Sequence, residues 1–184
     1  MVKEGHDKTF GKDNAGDLLR KLEWEIQSLQ NASKSDLTTL CYHAFNGVVT
    51  AWHMGDWVWA ALTKEQKASL KDRHKINQHS DFLYWIRQTN QELAICREIA
   101  TASKHFSISQ SPNEDITTVA SSRTEKVTDG DGMGIATGSG GFVVAPVWVL
   151  KVDDGETRRE IVDVLEKAKA FWTQFMDEHK IAHE

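Results

Sequence analysis

Between residues 36 and 62 the chain keeps a helical rotation of apolar and polar side chains for longer than most soluble helices run. Neither of its two prolines, Pro112 and Pro146, interrupts it. Ser35 or Asp36 supplies a suitable N-cap. At about 100° per residue, Cys41, Phe45, Val48, Trp52 and Trp59 share one face, while His43, Asn46, Thr50, His53 and Trp57 form a narrow stripe on the other. A helix with rings on one side and a mixed stripe opposite touches partners on most of its sides, so the rest of the fold is expected to be built around it.

Other segments supply those partners. Leu18, Leu22, Ile26 and Leu29 give helical spacing over 17–30. Thr63-Lys64-Glu65-Gln66 reads as a capping box that restarts a short helix to about residue 75. Lys64, Lys67, Lys71 and Lys75 recur along that helix, with Arg73 and His74 nearby; such a row is either a solvated face or a patch that tracks phosphates. A fourth helix is predicted over 80–104, with Phe82, Ile86, Leu93 and Ala100 on its core line. After residue 106 the chain turns polar and Gly-rich. A β-prone stretch at 116–120, an apolar β-branched run at 142–152 and the turn signal Asp153-Asp154-Gly155 predict a small antiparallel sheet. Helical spacing returns over 160–179 through Ile161, Val164, Leu165, Ala168, Trp172 and Phe175. The predicted fold is mainly α: an antiparallel bundle of about five helices with a small antiparallel hairpin or sheet inserted before the last. Residues 1–184 are read as a single domain, with a helical part at about 15–106, a Gly-rich and β segment at about 107–158 and a closing helix at about 159–181.

Composition narrows the function classes. A hydrophobic content of 40% in 184 residues suits one compact core, and seven Trp argue for a thick core or a rigid binding surface rather than disorder. Two cysteines, Cys41 and Cys96, both in helical patterns, argue for a reducing compartment. The charged N-terminus does not read as a secretory signal, and no run of 18 apolar residues occurs, so a cytoplasmic protein with no membrane partner is expected. A net charge of -5 disfavours coating nucleic acid by bulk electrostatics but leaves room for a local basic face.

No cofactor or metal is expected from the motifs. The Gly-rich stretch 129–141 lacks the Gly-Lys-Ser/Thr ending and following helix of a phosphate cradle, and Gly140 stands where a calcium loop needs a bidentate Glu. His53 and Asp56, three residues apart, could share a metal only with ligands from another helix, and His43 lies roughly 15 Å from His53 along the axis. What stands out instead is the cationic end of the fourth helix. Arg97 and Lys104 flank its apolar line, His105 follows, and a half-buried cation needs a partner, for which Asp56 and Glu98 are the nearest by pattern. The group is then either a polar network of Arg97, Asp56 and His53 that holds two helices in register, or a phosphate site.

Ala51-Trp52-His53-Met54-Gly55-Asp56-Trp57, together with Cys96-Arg97-Glu98-Ile99-Ala100-Thr101-Ala102-Ser103-Lys104-His105 and Phe171-Trp172, resembles an uncharacterised family of small bacterial and phage proteins. In that family a His-x-x-Asp-Trp helix accompanies a helix ending Arg-Asp/Glu-x-x-Asn-x-x-Lys-His; Thr101 stands in place of the Asn. More distantly the helical part is similar to the HEPN superfamily, many of whose members are metal-independent ribonucleases. That resemblance implies RNA as substrate, cleavage by the adjacent 2′-hydroxyl, His105 exchanging protons, Arg97 clamping the phosphate, Lys104 adding a point charge, Glu98 or Asp56 orienting them, and a homodimer. The superfamily places Arg four to six residues before His, whereas seven residues separate Arg97 from His105 here. On one continuous helix this sets them roughly 12 Å and 80° apart, so they converge only if the helix ends before His105. The alternative function is a non-catalytic protein-interaction module, with Trp57, Trp59, Trp85 and the Gly-rich hairpin as its surface and the Arg/Lys/His/Asp cluster as a structural network.

Overall fold

A computed structural model describes residues 10–11, 13–102, 115–127 and 143–183. Among them are six helices and three strands: α1 (Ala15–Asn31), α2 (Leu37–Ala61), α3 (Lys64–His74), α4 (His79–Thr89), α5 (Gln91–Ala102), β1 (Thr117–Val127), β2 (Val143–Asp153), β3 (Arg158–Glu160) and α6 (Ile161–Glu178). The fold is mainly helical, with a small antiparallel sheet before the last helix. The Gly-rich stretch 129–141 lies outside the described residues. No described helix is long and apolar enough to cross a membrane.

The long second helix is present and central, packed against α1, α4, α5 and α6. Of the aromatic face, Val48 is buried and Trp52 and Trp59 are half-buried. Cys41 and Phe45 are exposed, and the side turned inward carries Ala44, Gly47, Val48, Ala51, Met54, Gly55 and Val58. Close approach of neighbouring helices explains why most of these are small, because a helix crowded on several sides has little room at its contacts. A Cβ on Gly47 would stand 2.9 Å from Leu165 Cδ1, and one on Gly55 would stand 2.6 Å from Leu83 Cδ2. Trp172, fully buried on α6, fits against the same line and donates its indole N–H to the Ala51 carbonyl at 2.9 Å.

The predicted fourth helix is two. Asn90 adopts an extended conformation (φ -133°, ψ 111°), and its side-chain carbonyl accepts the Leu93 N–H at 2.8 Å. Asn favours such caps over helix interiors because its short amide competes for backbone groups. The break shifts the phase between the two halves, yet Phe82, Ile86, Leu93 and Ala100 are all buried. Elsewhere local signals match local structure. Asp36 caps α2 by accepting from Thr39, and Thr63 and Gln66 form both arms of the capping box on α3.

In the sheet, β2 lies between β1 and β3. Thr117 pairs with Asp153 at one end of the β1–β2 ladder and Val127 with Val143 at the other, while β3 reaches only residues 151–153 of β2. This leaves one edge of β2 open where Pro146 sits. The Trp148 N–H, two residues on and so directed to the same side, leaves the sheet to bond the Lys34 carbonyl at 2.8 Å. Proline is tolerated there because its missing N–H has no ladder partner to lose.

Candidate functional site

The residues singled out from the sequence separate into different environments. Arg97 and Glu98 lie on α5, with side chains 18% and 9% exposed, and the guanidinium donates to the Glu98 carboxylate. Both also have further contacts. Thr101 is half-buried in the last turn of α5, and His53 is half-buried on α2. Asp56 is exposed: its Oδ1 lies 3.0 Å from Nε2 of His79, at the start of α4, and that imidazole stacks on Trp59. Of the two carboxylates considered for Arg97, Glu98 is therefore the one paired with it, while Asp56 faces His79. Lys104 and His105 lie outside the described residues. Among the described residues, no three His, Cys, Asp or Glu side chains are grouped to hold a metal. Cys96 is buried, which pushes its thiol pKa up to about 12 with a smaller contribution from the Glu92 charge, so it is not poised as a thiolate nucleophile.

A buried carboxylate that the sequence reading missed lies between α1 and α2. Glu25 is 3% exposed. Lys21 Nζ donates to one of its oxygens at 3.0 Å and to Thr50 Oγ1 at 2.7 Å, and His43 Nδ1 lies 3.3 Å from the other oxygen. The i,i+4 spacing of Lys21 and Glu25, with Glu25 beside the apolar line through Leu22 and Ile26, was the available signal. Each carboxylate oxygen has a partner, and the arrangement ties α1 to α2.

The surface with the most open chemistry is formed by α3, α4 and the C-terminal half of α6. Six Lys and Arg against three Asp and Glu fall between residues 63 and 90, in a chain with 22 and 27 overall. Lys64, Lys71, Arg73 and Lys75 are exposed, and Lys67 Nζ sits 5.0 Å from the centroid of the Trp59 ring. Cations near the end of α3 also offset the negative pole of the helix, which by itself explains Lys71 and Arg73 without any ligand. The aromatic surroundings are what this explanation leaves over. His74 packs on Trp85 with centroids 5.0 Å apart, and this pair divides two clefts. One, of about 320 Å³, runs between α3 and α6, with Arg73 and His74 on one wall, Glu178 and His179 on the other and Phe171 and Phe175 beneath. The second, of about 300 Å³, is bounded by Lys75, Asp81 and Tyr84. Tyr84 is 62% exposed, with the Arg87 guanidinium 6.0 Å from its ring centroid. Trp57, Trp59 and Trp85, expected as a contact surface, are half-buried and rest against the core.

No protein-family model, curated protein or solved structure matches this chain.

Proposed function

We propose that this protein binds single-stranded RNA along the α3–α4 face. The observation that carries the reading is the His74–Trp85 wall with a cleft on each side, one edged by Arg73 and the other by Lys75, with Lys71 exposed on the same helix, on a protein of net charge -5. Single strands are held by cations that follow the backbone and by rings on which unpaired bases stack, and this face offers both within one surface. The resemblance of the helical part to HEPN proteins favours RNA as the strand. In this reading Arg97 is a latch within α5, paired with its neighbour Glu98, and RNA is bound without being cut.

The test is fluorescence anisotropy of a labelled, mixed-sequence single-stranded RNA. Lys71→Gln, Arg73→Gln and Lys75→Gln change exposed residues, so each should weaken binding several-fold with an unchanged melting temperature. Each should also reduce the slope of log affinity against log salt by about 0.7 if one phosphate contact is lost. Affinity that is insensitive to salt and to all three substitutions overturns the proposal. Incubation of RNA with the protein in a metal chelator should leave it intact. Cleavage that Arg97→Gln abolishes without lowering the melting temperature would instead establish the ribonuclease reading.

A further inference from the structure

The cleft between α3 and α6 is chemically asymmetric, and the asymmetry names a ligand more narrowly than a strand. On the α3 wall Arg73 makes no ion pair among the described residues and stands beside His74, so this wall offers donors. A guanidinium in that position suits a phosphate, which it can bind with two parallel hydrogen bonds. The α6 wall offers an acceptor. The Gln174 amide donates to Glu178 Oε1 at 2.8 Å, which orients the carboxylate and leaves its other oxygen available. His179 Nδ1 lies 2.9 Å from the Phe175 carbonyl; a carbonyl only accepts, so Nδ1 carries a proton and is turned away from the cleft's ligand groups, leaving Glu178 as the acceptor of this wall. Between the walls the floor is aromatic: Trp85 and Phe175 have centroids 6.3 Å apart with 54° between planes, His179 stacks on Phe175 at 4.1 Å, and Trp85 and Phe171 are the half-buried rings.

A strand running through the cleft would carry its next phosphate toward Glu178, where like charges repel. A carboxylate in that place is suited to a hydroxyl hydrogen, and the 2′-hydroxyl is the group that separates ribose from deoxyribose. At about 320 Å³ the cleft is at the small end of ligand pockets, the size of one nucleotide unit. We propose that it binds a single ribonucleoside monophosphate unit, with phosphate on Arg73 and His74, base against the half-buried Trp85 and Phe171 rings and ribose hydroxyl on Glu178. The unit can be a free nucleotide or the phosphorylated end of an RNA strand. The second source rests on the RNA-binding reading; the first does not.

Titration calorimetry with the intact protein tests this, using each 5′- and 3′-ribonucleoside monophosphate, its 2′-deoxy counterpart, the unphosphorylated nucleoside and inorganic phosphate. At least one ribonucleotide should bind tenfold or more tighter than its deoxy counterpart and than inorganic phosphate. Arg73→Gln should remove the advantage of the monophosphate over the nucleoside, and Glu178→Ala should bring the ribose-to-deoxyribose ratio to about one, both at an unchanged melting temperature. A second arm compares RNA oligomers ending in phosphate with the same oligomers ending in hydroxyl; a preference for phosphate that Arg73→Gln removes identifies the strand end as the source. If no monophosphate binds, or if Glu178→Ala leaves the ribose preference intact, the inference is overturned, whatever mixed-sequence RNA does. If monophosphates bind as described and mixed-sequence RNA does not, the RNA-binding reading fails alone and the cleft remains a nucleotide site.

Discussion

Whether Arg97 is a latch or a ligand clamp can be decided by a double-mutant cycle with Glu98. The Glu98 side chain is 9% exposed and the Arg97 side chain 18%, so the carboxylate depends more on its partner than the guanidinium does. Arg97→Met keeps most of the apolar stem and removes the charge, leaving a buried carboxylate without its cation. Breaking a buried pair in this way costs about 3–5 kcal/mol, and the low end, about 3 kcal/mol, applies here because Glu98 has another contact. Glu98→Gln keeps the shape and one acceptor and leaves Arg97 near enough to water to remain hydrated, so it should cost about 1–2 kcal/mol. The double variant leaves neither charge stranded and should be no less stable than Arg97→Met, giving a coupling of about 1–2 kcal/mol. Urea unfolding followed by tryptophan fluorescence measures all four corners, provided the m-values agree. Losses that add to within about 0.5 kcal/mol, or an Arg97→Met midpoint equal to the parent's, would refute the latch. Arg97 would then have to be reconsidered as a phosphate ligand.

Three further outcomes follow from the packing and the titrating groups. Gly16→Ala should lower the melting temperature more than Gly55→Ala, with a difference of about 1–2 kcal/mol. Both gain helix propensity, but a Cβ on Gly16 meets the His183 backbone at 2.7 Å whereas one on Gly55 meets only the movable end of Leu83. Ellman's reagent should titrate one thiol in the native protein, exposed Cys41, and two in denaturant, because burial holds the Cys96 thiol at about 12; two rapid native thiols would contradict the packing of α5. The Asp154 side chain is 4% exposed and its pKa is lowered from 3.8, first by the Thr157 N–H and, among weaker causes, by Arg159. A carboxylate whose folded pKa lies below its unfolded one contributes stability that is present above about pH 4 and lost as pH falls through the folded value. Asp154→Asn should therefore lower stability at pH 7 and flatten the acid side of a melting-temperature profile, and an unchanged acid limb counts against the role assigned to this turn.

Much of the fold was legible because its signals are local. A capping box needs four residues, an apolar stripe needs one helix, and β2 announces itself by a β-branched run. Two features were not legible. Partners on most sides of α2 were expected, but which side packs most tightly was not legible, because a helix contacted by four others is selected at its contacts for small volume, which no single-helix pattern reports. The break at Asn90 was missed because the apolar residues on both sides of it remain buried, so the periodicity survives a change of axis.

The candidate site was harder to read for a physical reason that also bears on its interpretation. Arg73 and His74 lie about a hundred residues from Phe171, Phe175 and Glu178, and on its own helix the row from Lys64 to Lys75 is fully explained by solvation and by the pole of the helix dipole. The aromatic residues of α6 are equally well explained as a core stripe. Only their meeting makes a surface on which a cation, a flat ring and an oriented carboxylate share about 320 Å³. A solvated helix end accounts for the charge and a core stripe accounts for the rings. Gln174 and Glu178 are an i,i+4 pair on the exposed side of α6, and the donor-to-acceptor contrast that Arg73 and Glu178 set across the cleft is the feature a phosphate joined to a ribose would fit.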